Sequence, residues 1–147
     1  MPLLLAAAEA WRQTDAVRGT DAQQARELVD RVRVAAGGVP DTDVVGHPDD
    51  RLPHVTTFSC LFVDGEALVH ELDRRGFGVA SGSACTASAL EPSHVLAAMG
   101  VLTHGNVRVT IPLAATSRDR EAGVDAFCAA LPEAVAAVRA RLGAHRL

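Results

Sequence analysis

The segment Val79-Ala80-Ser81-Gly82-Ser83-Ala84-Cys85-Thr86-Ala87-Ser88 sets one thiol among small residues that offer nothing large to bury it. An accessible cysteine in such a loop can act as a nucleophile, but only as the thiolate. At an ordinary pKa of about 8.5 a thiol is only about 3% ionised at neutral pH, so activity needs a positive neighbour or a helix N-terminus. The helix expected to open at Pro92 is one such neighbour if the loop folds back on it. Cys60 and Cys128 lie in apolar runs instead, and read as packing residues. No Cys-x-x-Cys pair exists, so zinc-finger and thioredoxin-like readings lack support. An odd, sparse set of three cysteines suits reduced thiols in the cytoplasm.

Arg108 is the second candidate. From Asn106 to Ile111 the sequence alternates, with Val107, Val109 and Ile111 on one side and Asn106, Arg108 and Thr110 on the other. A guanidinium fixed on the polar face of a strand suits two-pronged capture of a carboxylate; the competing reading is a surface arginine paired with an acidic neighbour. His104, four residues earlier, has an open role. The six histidines (His47, His54, His70, His94, His104 and His145) show no His-x-x-x-His spacing, so a metal site is not expected. Arg139, Arg141 and Arg146 read as a solvated helix end.

All 14 basic residues are arginine, and lysine is absent. No mechanism that needs a lysine amine, whether a Schiff base or a phosphate-loop lysine, can run on this polypeptide alone. The net charge of −4 gives nucleic acid no electrostatic attraction to the chain as a whole.

These residues need a frame. The chain has 147 residues, 48% of them hydrophobic and 22% charged, which suits one soluble domain. Aromatics are only 3%, so Ala, Val and Leu must fill the core. Met1 to Ala8 is apolar but too short to span a bilayer and lacks a basic lead-in, so it reads as the start of an Ala-rich helix. Residues 3–18 are helix-forming and Gly19 is expected to stop them. Thr20 with Gln23 offers a capping box for a second helix, carrying Ala22, Ala25, Leu28, Val29 and Val32, that closes at Gly37-Gly38 and Pro40. A short strand at Val44-Val45 lies in a polar loop, and Val55 to Val63 is the clearest strand, with Phe58, Cys60 and Phe62 on one face. Asp64 caps a helix over 66–75 that Gly76 ends, and 77–80 is a short strand leading into the Cys85 loop. Pro92 to Met99 is a helix, and a last helix runs from Ser117, with Pro132 expected to kink or split it. Helices packed on one face of a small, largely antiparallel sheet fit this order.

Ser81-Gly82-Ser83-Ala84-Cys85-Thr86, then Leu90-Glu91-Pro92-Ser93-His94-Val95-Leu96, then His104 and Val107-Arg108-Val109, resembles the C-terminal part of the pyridoxal-phosphate-dependent cysteine desulfurases. These are class V aminotransferase-like proteins, and the likeness is to the branch with the longer cysteine loop, which feeds sulfur to iron–sulfur cluster assembly. Leu52-Pro53-His54 and Asp64-Gly65-Glu66-Ala67-Leu68 are similar to the family too, so the likeness spans roughly residues 20–143. The ordered succession of motifs is more specific than any one of them. Ile111-Pro112 departs from it, standing where the family usually has a serine-containing turn that ends in glycine.

The resemblance implies an α+β fold like the small domain of fold-type I pyridoxal phosphate enzymes. Residues 1–36 would form N-terminal helices similar to an interdomain linker, and 37–147 the small domain, as one compact unit. Cys85 would receive sulfur from L-cysteine as a persulfide, L-alanine leaving, and Arg108 would hold the substrate's α-carboxylate; His104 and Ser83 are supporting candidates. In the family the cofactor lysine and the phosphate-binding residues belong to a larger N-terminal domain that nothing in these 147 residues matches. The chain alone is therefore expected to bind no pyridoxal phosphate and to be inactive. Its implied partners are that large domain, L-cysteine and a sulfur-acceptor protein, with no nucleic acid and no membrane; monomer and homodimer both stay open. Two other readings stand beside this one: a stand-alone persulfide carrier, and a non-catalytic interaction domain with Cys85 inert.

Overall fold

The structure is a computed structural model that describes residues 1–81 and 93–143. Its elements run α1 (Pro2–Gly37), β1 (Thr42–Val45), β2 (Val55–Cys60), α2 (Gly65–Arg74), α3 (His94–Ala98), β3 (Asn106–Thr110) and α4 (Arg120–Arg141). The strands form one antiparallel sheet in the order β1-β2-β3. Alternation sends Phe58, Cys60, Val107 and Val109 to one face. There they share a core with Val29 and Val32 of α1, Leu68 and Leu72 of α2, and Leu131, Val135 and Val138 of α4. An α+β fold with helices on one face of a small antiparallel sheet is what the sequence pattern predicts.

The expected break at Gly19 does not occur: α1 is one helix of 36 residues. A helical glycine costs only about 1 kcal/mol relative to alanine. Here it lies between an Ala-rich stretch and a well-anchored C-terminal half, with Glu9–Arg12 and Asp15–Arg18 pairs along the exposed part. Ala25, Leu28, Val29, Val32 and Ala36 are buried, whereas every residue from 1 to 20 is exposed. Pro132 likewise fails to split α4, which continues for 22 residues. Phe127 and Leu131 before it and Ala134, Val135 and Val138 after it all enter the core, and that burial outweighs the hydrogen bond proline removes.

β2 ends at Cys60, three residues short of the predicted Val63. The chain turns at Leu61 and Phe62, and Phe62, with φ of 58°, points outward instead of joining Phe58 and Cys60. The turn lets Val63 enter the core and puts Asp64 where its carboxylate accepts a 2.7 Å hydrogen bond from the Ala67 amide, capping α2. The predicted 77–80 strand is reduced to a single bridge at Ala80. The segment before it is held by packing, with Phe77 edge-to-face on Phe127 at 5.6 Å.

Two buried charges lock the helices. Arg120 donates to Asp21 Oδ1 (2.7 Å), Gln24 Oε1 (2.6 Å) and the Pro112 carbonyl (3.3 Å), tying α4, α1 and the β3–α4 connection together. Glu71 of α2 accepts from Arg74, Arg75 and Arg141, which joins α2 to the end of α4. Hydrogen bonds from Arg75 and then Arg141 hold the Glu71 carboxyl below the usual carboxylate range.

Two outcomes follow. A depressed carboxyl stabilises the fold above the ordinary Glu pKa of about 4.3, and that contribution is lost as pH falls through its folded value. Glu71→Gln should therefore lower Tm near pH 7, with the gap to the unsubstituted chain narrowing as the solution is acidified; an unchanged gap would contradict the latch. Trp11, the single tryptophan, is 76% exposed. Its fluorescence should be fully accessible to iodide quenching in the isolated chain at low concentration, and a shielded fraction would show that something covers this half of α1.

Candidate functional site

β3 is the element that carries the site. Val107 and Val109 face the core, so Arg108 between them projects from the opposite face and is exposed. In the ladder Arg108 stands opposite Thr57 of β2. The β2 hydrogen bonds use the odd-numbered residues, as seen at both ends: Cys60 N–H donates to the Gly105 carbonyl, and Ile111 N–H to that of His54. The backbone of Arg108 therefore points to the other edge, and Ala80 meets it there. Arg108 N–H donates to the Ala80 carbonyl at 2.7 Å, and Ala80 N–H returns a bond to the Arg108 carbonyl at 3.1 Å.

That bridge joins Arg108 to the last described residues before the segment that holds Cys85. Ala80 and Ser81 begin the Cys85 loop, so the stem of the loop is paired directly to the arginine strand. Cys85, Ser83 and Pro92 themselves lie outside the described residues, as do His145 and Arg146. Downstream the described chain resumes at Ser93, whose hydroxyl accepts from the Leu96 amide and caps α3. Among the described residues the Arg108 side chain has no hydrogen-bond or ion-pair partner, so the competing reading of a surface pair finds no acidic neighbour there.

The remaining candidates separate from it. His104 is exposed in the turn before β3 and is joined to Arg108 by no hydrogen bond. Cys60 is in the core, where burial pushes its thiol pKa up; burial raises that of the half-buried Cys128 as well. Both are less ionised than an ordinary thiol, as packing residues should be. Ile111-Pro112 leaves the arginine strand undisturbed, since Ile111 is buried and continues the ladder to His54. Among the described residues no cluster of three His, Cys, Asp or Glu could hold a metal ion, and no helix is long and apolar enough to cross a membrane.

Sequence reasoning missed two glycines that set this geometry. Gly105 has φ of +64° and sits under the end of β2, where an added Cβ would overlap the Cys60 carbonyl and lie 2.8 Å from that of Val63. Gly65, at the start of α2, packs against Ser81 and the backbone of Asn106. A visible signal was the placement of each glycine just before a predicted element.

A strand arginine beside a loop stem, on a three-stranded antiparallel sheet backed by helices, is now joined by independent comparisons. Residues 4–123 match the family Aminotransferase class-V, and the chain belongs to that family. It is 36% identical over 124 residues to Cysteine desulfurase 2 of Trichormus variabilis (strain ATCC 29413 / PCC 7937), a match covering 82% of this chain and 30% of that protein. Among solved structures, a NifS-like protein superposes with a TM-score of 0.70 at 20% identity, over 88% of this chain and 32% of that one. The NifS-like protein from Rickettsia africae ESF-5 gives 0.64 at 20% identity, over 81% and 30%. The chain thus spans between a quarter and a third of the length of most of the curated relatives it matches. Pyridoxal phosphate, implied for the complete enzymes, does not fit the donor set of this chain: with no lysine there is no side-chain amine to hold it covalently.

Gly105→Ala should destabilise the fold by more than about 2 kcal/mol, through positive-φ strain together with backbone overlap at the β2–β3 junction. Urea unfolding reads this as a lower midpoint at unchanged slope. A midpoint within error of the unsubstituted chain would show that the junction yields freely.

Proposed function

We propose that this chain is the C-terminal small domain of a cysteine desulfurase acting in the cytoplasm, and that Cys85 is the cysteine that accepts sulfur. Arg108 binds the α-carboxylate of L-cysteine by a charge-assisted fork, and the Cys85 thiolate takes the substrate sulfur as a persulfide. L-alanine leaves, and the persulfide sulfur passes to an acceptor protein. Pyridoxal phosphate and its lysine belong to a large domain outside these 147 residues, and the bond-breaking electron flow belongs there too. The role left to this chain is positioning: a thiol on a loop and a guanidinium on a strand, brought to one substrate.

The observation that supports this reading is the Ala80–Arg108 bridge. It ties Ala80, five residues before Cys85, to the strand whose arginine projects away from the core. His104 and Ser83 keep only the supporting roles that the family resemblance implies.

The test supplies the chain with the lysine-bearing domain of a cysteine desulfurase and follows L-cysteine turnover. The pair should release L-alanine and leave one sulfur on Cys85 by intact mass; the chain with pyridoxal phosphate alone should release none. Cys85→Ser should abolish the added sulfur. Arg108→Ala should raise KM for L-cysteine on the order of ten-fold or more, from loss of a charge-assisted bond of about 1.5–3 kcal/mol. Alanine release by the chain alone, or turnover indifferent to both substitutions, would overturn the assignment.

A further inference from the structure

Gly65 opens α2, immediately after the Asp64 cap, and is buried. Three segments meet at this point. A Cβ built on Gly65 would overlap the Ser81 hydroxyl and stand 3.0 Å from the backbone oxygen of Asn106 and 3.4 Å from its nitrogen. Asn106 is the first residue of β3, and its backbone faces the same strand edge as that of Arg108, two residues on. The start of α2 therefore occupies the outer edge of β3 at Asn106, while Ala80 occupies it at Arg108. Ser81 lies between them, with its hydroxyl in the space that a side chain at residue 65 would take.

From this contact we infer that Gly65 is a positioning residue: the space it leaves seats Ser81 against β3 and so keeps the stem of the Cys85 loop bonded to Arg108. The inference rests on the reading of Cys85 and Arg108 as one site and deepens it by naming what seats Ala80 and Ser81 on the arginine strand. Local propensity argues the other way. Alanine is the better helix former, so α2 by itself would gain from Gly65→Ala. A glycine at this capped helix start is explained by the tertiary contact, in which a Cβ would force the Ser81 hydroxyl to move and press on the Asn106 backbone. The Ser81 hydroxyl can rotate about one bond, but the Asn106 backbone is part of the sheet ladder.

Two readouts on the chain by itself test this, neither needing a cofactor. The first is hydrogen exchange at the Ala80 and Arg108 amides, which donate to each other's carbonyls. In Gly65→Ala both should lose most of their protection while the core amides of β2 keep theirs. In Gly65→Ala/Ser81→Ala, which removes the overlapping hydroxyl, protection should return in large part. The second readout is the ratio of Cys85 alkylation by iodoacetate and by iodoacetamide, in which the thiolate displaces iodide and forms a thioether. Referred to a free thiol in the same buffer, the ratio should favour the carboxylate reagent several-fold in the unsubstituted chain and fall to that of the free thiol in Arg108→Ala. Gly65→Ala should fall likewise and the double variant recover. Ser81→Val, which crowds the contact from the other side, should lower the ratio as well.

The outcomes separate the two claims. No carboxylate preference in the unsubstituted chain would overturn the pairing of Cys85 with Arg108. A preference that survives Gly65→Ala, with the two amides still protected, would overturn the role of Gly65 alone. Loss of protection throughout β2 and β3 in Gly65→Ala, without recovery in the double variant, would also overturn it by showing a general packing defect.

Discussion

The double hydrogen bond between Ala80 and Arg108 uses the backbone groups of β3 that β2 leaves over. An antiparallel strand bonds through alternate residues on each edge, so a strand with one partner keeps half of its donors and acceptors facing outward. In this chain the outward half is covered by two different elements, the loop stem at Arg108 and the start of α2 at Asn106. Covering the edge and locating the loop are the same contact. Because residues 107 and 109 are committed to the core, the side chain at 108 has only the outer face to occupy.

The frame that holds β3 is built largely with arginine. Several guanidiniums bridge pairs of loop carbonyls. Arg33 donates to Val45 and Gly46, Arg26 to Asp49 and Arg51, and Arg139 to Leu61 and Pro40. A planar fork with five donors can satisfy two carbonyls at once, which a single ammonium does less well. An all-arginine chain thus secures its turns against α1 and α4 without lysine. Arg120 pairs with the partly buried Asp21, and Arg74, Arg75 and Arg141 with the buried Glu71, where leaving a buried partner alone would be costly.

Much of the fold was legible in the sequence because its signals are local. The 107-109-111 alternation, the Asp64 cap and the apolar period of the second half of α1 each report a backbone state over a few residues, and each appears in the structure. The misreadings at Gly19 and Pro132 were of another kind. A breaker costs a few kcal/mol at most, and whether it breaks a helix depends on burial along the whole element. Phe62 was misplaced for a similar reason: its β-forming neighbours favour a strand, but Val63 and Asp64 must serve the core and the next helix.

Residue types limited the chemistry to consider: one thiol among small residues, one arginine on the polar side of an alternating strand, and no lysine amine. Periodicity settled which side of the strand that arginine takes. Only the tertiary structure decided that residues 65, 80, 81, 106 and 108 share one strand edge, since no local signal encodes a hydrogen bond between positions 28 apart. Gly65 shows why: a missing side chain has no pattern of its own, and its meaning appears only when the atoms that would collide with a Cβ have been brought together by folding.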